Sequence, residues 1–166
     1  MAELTTQERL QPSLLDRLTD NEPDQTHESR DRRVLSLPRL REAVLRDLAW
    51  LLNTTHLAVS VDLSAYPEVA RSVLNFGLPE LTGTSLAGLD SADLERHVRE
   101  CVANFEPRLR RQSLEVRVTQ GPEEDHQRSL KFEIVGELLA KPIPMQLFLK
   151  TEVDLENGLV EIVDAH

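Results

Sequence analysis

Glu106, Pro107 and Arg108 bring a carboxylate and a guanidinium two residues apart, with a stiff residue between them. Proline has no N–H to donate and biases the residue before it away from helical angles, so the tripeptide is expected to be extended. In an extended chain, residues two apart point the same way. Glu106 and Arg108 would then stand on one side, flanked by Phe105 and Leu109, as a preorganised pair of opposite charges. Such a pair can meet reciprocal charges on a partner through directional hydrogen bonds, with arginine the better residue for a two-pronged contact. A simple helix stop accounts for the proline as well.

Other reactive residue types give no comparable constellation. Five histidines, His27, His56, His97, His126 and His166, lack close ligand spacing, and the lone Cys101 excludes the usual structural zinc patterns and an internal disulfide. Cys101 falls on an apolar helical stripe and reads as an inert core thiol. No metal and no cofactor is expected. Glycoside hydrolysis ordinarily needs two carboxylates flanking a cleft. The phage-type lysozyme spacing, Glu then Asp nine residues on and Thr six beyond, finds only Glu22 and Asp31, with Leu37 where Thr would stand. Those two sit in a polar stretch without a rigid cleft, and Glu106 beside an arginine suits pairing better than proton donation.

The elements that must position the tripeptide follow from hydrophobic periodicity. A short helix is expected over Pro12 to Leu18, with Leu14, Leu15 and Leu18 on one stripe that needs something to dock on. Thr19 to Arg33 is almost free of apolar residues and reads as a flexible acidic linker, which divides the chain into residues 1–37 and a domain over 38–166. The strongest helix runs from Pro38 to Asn53, burying Leu40, Val44, Leu45, Leu48, Leu51 and Leu52, with Arg41, Glu42 and Arg46 on a solvated face. A second helix is expected from Pro67 through Val69, Val73 and Leu74 towards Gly77, and a third after an N-cap at Ser91, with Leu94, Val98, Cys101, Val102 and Phe105 inward.

From Gln112 the period becomes two. Leu114, Val116 and Val118 alternate with polar residues, then Leu130, Phe132 and Ile134, with a polar loop between them. Met145, Leu147, Leu149, Thr151 and Val153 form another strand, and Leu159, Glu161 and Val163 the last, joined through Asn157-Gly158, a dipeptide suited to positive-φ hairpin turns. Helices first and strands afterwards make an α+β domain, amino-terminal helices packed on one face of a carboxy-terminal antiparallel sheet. The terminal hairpin carries an edge strand, so Leu147, Leu149, Thr151, Val153, Leu159, Glu161 and Val163 are candidates for pairing with a neighbouring protein's strand.

Composition bounds the partners. At 166 residues the chain is one domain in size, and its net charge of −10 argues against the clustered cations that bind nucleic acid. No apolar run of the roughly 18 residues that would span a membrane is present, nor a signal-like start, which suggests a cytoplasmic chain.

The segments Arg46 to Thr54, Ser72 to Gly83, Phe105 to Leu109 and Leu147 to Leu155, with Ser13 to Leu18 before them, occur in the order and spacing of the TssE family. They resemble the baseplate wedge family of contractile phage tails and type VI secretion systems, over most of the chain. The resemblance implies a small structural protein of the baseplate, beneath the inner membrane on its cytoplasmic side. It implies that Glu106, Pro107 and Arg108, which match the family's Glu-Pro-Arg signature, grip the wedge proteins TssF and TssG, with TssK a further contact. It also implies that the sheet is offered to the first sheath layer of TssB and TssC. A peptidoglycan hydrolase, a label this family has carried, and a generic cytoplasmic adaptor acting through the first helix are the alternatives.

Overall fold

Two apolar periodicities divide the chain, a three-and-four spacing as far as Phe105 and an alternation from Leu114 onward, and the computed structural model follows both. It describes residues 13–19, 23–24, 37–79, 91–120, 129–140, 144–154, 156 and 158–165. Most of the expected linker, the Gly121 to Asp125 loop within 121–128, and Asn157 lie outside the described residues.

Helix α1 is Leu14–Leu18, started by a capping box in which the Ser13 hydroxyl oxygen accepts the Asp16 N–H while the Asp16 carboxylate accepts from the Ser13 backbone. Its leucines are exposed, so the stripe does not dock on the described part of its own chain. Helix α2, Leu37–Leu52, begins with Pro38 in its first turn and buries Leu40, Ala43, Val44, Leu48, Leu51 and Leu52. Helix α4, Ser91–Phe105, buries Leu94, Val98, Cys101 and Val102. Ser91 is itself the first helical residue, so it is not the N-cap that was expected.

The expected second helix is broken. Helix α3 covers only Pro67–Ala70, and Val73–Asn75 form a separate 3-10 turn. Ser72 is the cause, because its hydroxyl accepts the Leu74 N–H and donates to the Val69 carbonyl, giving the backbone a local alternative to the helix. Val73 and Leu74 therefore stand out in solvent at 79% and 67% exposure. Gly77 has the expected positive φ, 123°, but its use is a close approach. A Cβ there would lie 2.2 Å from the Thr54 carbonyl oxygen, where Leu78 N–H bonds to Thr54 O and His56 N–H bonds to Leu78 O. The residues just past α2 are thus clamped by the chain around Gly77.

Strands β1 (Glu115–Gln120), β2 (Ser129–Leu138), β3 (Met145–Asp154) and β4 (Val160–Ala165) form one antiparallel meander in the order β1-β2-β3-β4. Alternation sends Leu130, Phe132, Ile134, Leu147, Leu149 and Val153 into a single core with the inward faces of α2 and α4, and the other sheet face is mostly polar, with Val135 and Phe148 paired on it. Thr151 joins that core without penalty because its hydroxyl donates to the Phe132 carbonyl at 2.7 Å. Helix α4 packs along β1, and α2 meets β4. The fold is α+β with helices on one sheet face, as the periodicities required.

Candidate functional site

Pro107 ends α4, but the tripeptide is a turn and not an extended segment. The Glu106 N–H still completes the helix by bonding to Val102 O at 2.8 Å, and the Leu109 N–H returns to Glu106 O at 3.2 Å. After the turn the chain joins the sheet margin, with Leu139 N–H bonding to Arg108 O and Arg110 N–H to Glu137 O. Both ends of the tripeptide are fixed by backbone bonds.

This geometry corrects the expected outward pair. Glu106 is only 2% exposed and turns inward. Arg108 follows it: Nε donates to Oε1 at 2.7 Å and Nη2 to Oε2 at 2.5 Å, a two-pronged pair, while the Arg108 N–H also bonds to Oε1. The same Nη2 donates to Asp47 Oδ2 on α2 at 2.6 Å. Asp47 Oδ1 accepts from Arg46 Nε at 2.9 Å, and Arg46 Nη1 reaches Asp16 of α1 at 2.7 Å. Five groups of alternating sign, Asp16, Arg46, Asp47, Arg108 and Glu106, therefore connect α1, α2 and the end of α4. The charged face of α2 is a brace on this side, where a merely solvated face was expected.

Burial alone would lower the Arg108 pKa, but Glu106 first and Asp47 second outweigh it, and the guanidinium is held more firmly protonated than usual. Asp16 shows the opposite balance. Burial raises its pKa, and the bonds from Ser13 and Arg46 more than offset that, holding it below the ordinary value. The outer pairs are partly exposed and contribute little stability, on the order of 0–1 kcal/mol each, whereas removing Arg108 would leave Glu106 buried and unpaired. The brace thus fixes geometry at its surface end and is indispensable at its buried end. Arg108 Nη1 is buried with no acceptor among the described residues, and the Arg46 guanidinium lies 5.5 Å from the centre of the exposed Trp50 ring.

The residues proposed for strand pairing divide between two strands. Leu147, Leu149, Thr151 and Val153 lie on β3, which is bonded to β2 on one side and β4 on the other, and their side chains are buried. An interior strand has no free main-chain row, so these four are corrected to core positions. Leu159, Glu161 and Val163 belong to the margin, where β4 is the outer strand, and all three are exposed. Sequence reasoning missed Asp47, the partner of Arg108, and Asn53, whose side chain bonds to the β4 backbone. Neither carries a local signal, since each partner lies far away in sequence.

Cys101 is buried, donates to the Gly77 carbonyl, and has its pKa pushed up to about 12 by that burial, as an inert core thiol should. The fold brings together two of the scattered histidines: burial chiefly, and then the charge of His97, lowers the His56 pKa. Among the described residues, no group of three or more His, Cys, Asp or Glu side chains is arranged to hold a metal ion. No described helix is long and apolar enough to cross a membrane.

No curated protein and no solved structure matches the chain. A family model described as baseplate wedge protein gp25 matches residues 38–143, more than half of the chain. The matched range runs from α2 to the end of β2 and contains Asp47, Glu106, Pro107 and Arg108. The chain therefore belongs to the family of the phage baseplate wedge protein gp25.

Proposed function

We infer that the chain is a structural baseplate component of a type VI secretion system, of the TssE kind. In this reading it sits on the TssF and TssG wedge through the surface end of the brace and offers its open sheet margin to the first layer of TssB and TssC. TssK is a neighbour, and the complex lies on the cytoplasmic side of the inner membrane. The observation that carries docking is Arg108, a partly exposed guanidinium fixed by two carboxylates. A donor already immobilised loses little entropy when a partner's carbonyl or carboxylate arrives. The outward main-chain groups of Ile162 on the outer strand β4 support strand addition.

Arg108→Ala is a poor test, because a buried Glu106 left alone costs about 3–5 kcal/mol and the chain would fail at folding first. Arg108→Lys keeps the positive charge beside Glu106 and removes the fork. Capture of purified TssF–TssG by this variant should fall at least about tenfold, since a bidentate arginine contact is not reproduced by lysine. Wild-type capture by a folded Arg108→Lys chain would sink the docking role.

The hydrolase alternative finds no supporting observation: Glu106 is too deeply buried for a glycosidic oxygen to reach. The exposed Leu14 and Leu18 of α1 support one more protein contact, common to the baseplate and adaptor readings. Co-purification of TssF and TssG separates those two.

A further inference from the structure

Val160 opens β4 opposite Val153, and its N–H and C=O point away from β3. The Asp154 N–H bonds to Leu159 O at 2.9 Å, so the next pair along the ladder is a non-hydrogen-bonded one, with its main-chain groups turned outward. The side chain of Asn53, just past α2, takes both of those groups: Oδ1 accepts the Val160 N–H at 2.8 Å and Nδ2 donates to Val160 O at 2.9 Å. The remaining Nδ2 hydrogen goes to Ala49 O at 2.8 Å, which fixes the amide's orientation to the last turn of α2. An amide that offers one acceptor and one donor side by side does what a residue of a neighbouring strand would do. By the same alternation the next outward residue is Ile162, whose outward groups have no partner among the described residues, and a bulge follows between it and Asp164.

We propose that Asn53 is a stop that occupies the first rung of the β4 margin and thereby sets the register in which another protein's strand is added, starting at Ile162. The proposal rests on the strand-addition reading above. The occupant is a strand of a different protein with Lys or Arg on its solvent face. Glu161 is exposed beside this margin and stands opposite Glu152 of β3, in a chain of net charge −10. A second copy would bring the same acidic surface and a net charge of −10 to this margin, which disfavours pairing.

The test is amide hydrogen exchange on the full chain, read residue by residue, free and with purified TssB–TssC. In the free wild type, Val160 should exchange at least about tenfold more slowly than Ile162. Asn53→Ala should bring Val160 to the Ile162 rate. Asn53→Asp, which keeps an acceptor for the N–H, should preserve the protection, and unchanged exchange at Ile134 would show that the fold is intact. With TssB–TssC, Ile162 should slow in both chains, and Val160 of Asn53→Ala should slow with it as the added strand extends by one rung. Slowing at Ile162 with Val160 indifferent to Asn53→Ala overturns the stop alone. No slowing at Ile162 overturns the strand-addition reading, and the proposal with it.

Discussion

Strands β1 and β4 both border the sheet, yet helices meet them in different ways. Along β1 lies α4, and the Glu95 carboxylate accepts the outward N–H of Val118 at 2.7 Å. A groove of about 360 Å³, lined by Glu95, Arg96, Arg99 and Arg117 among others, lies between helix and strand. At β4 the described side-chain hydrogen bonds to the outward backbone come from one residue, Asn53, at one rung. A carboxylate can satisfy an N–H and never a C=O, so it closes a strand only where a helix also blocks approach. An amide satisfies both and can stand in for a strand by itself. Unpaired margins invite adventitious pairing, and here one is flanked by a helix and capped at the Val118 N–H while the other is blocked at its start.

The comparison can be broken most severely at Gly77. Gly77→Ala places a methyl group against the Thr54 carbonyl and forces a side chain into positive φ, with an expected cost of about 3 kcal/mol in denaturant unfolding. Because Thr54 follows Asn53, Val160 should lose more exchange protection than Val118; equal loss at both would mean the clamp does not serve the β4 side in particular. Glu95→Gln comes next. A neutral acceptor replaces a charged one, and β1 should weaken by about 1 kcal/mol with faster exchange at Val118 and no change at Val160. The smallest effect lies in α1. Asp16 has a lowered pKa, so its contact with Arg46 is fully formed above the ordinary aspartate value of 3.8 and is lost as pH falls through the lowered value. The loss should stay under about 1 kcal/mol, appear as faster exchange at Thr19, disappear in Asp16→Asn, and leave both sheet margins unaffected.

Most of the fold was legible because burial imposes periodicity. The leucines and valines of α2 and α4 recur on one helical face, and β2 and β3 alternate without interruption. The second helix misled because Val69, Val73 and Leu74 have helical spacing while the Ser72 side chain offers the backbone a competing bond. At the candidate site, Glu106 and Arg108 were legible as a pair, and their direction was not. The rule that proline favours an extended predecessor lost to a helix whose last hydrogen bond ends at Glu106 itself. Asp47 and Asn53 were out of reach for another reason. Each sits where a helix surface or terminus accepts any polar residue, and what gives it a role is a strand or turn that only the tertiary fold brings near. The misplaced pairing residues of β3 have the same origin, since strand order is a property of assembly and not of pattern.

Glu95 on Val118 has one more consequence. In the terms of polymer growth, a sheet that accepted a strand at β4, as proposed, and none beside α4 would be monofunctional: it could start a row of strands but could not be incorporated into the middle of one. Such a molecule would give the row a direction and a first member, and its own concentration would limit how many rows begin.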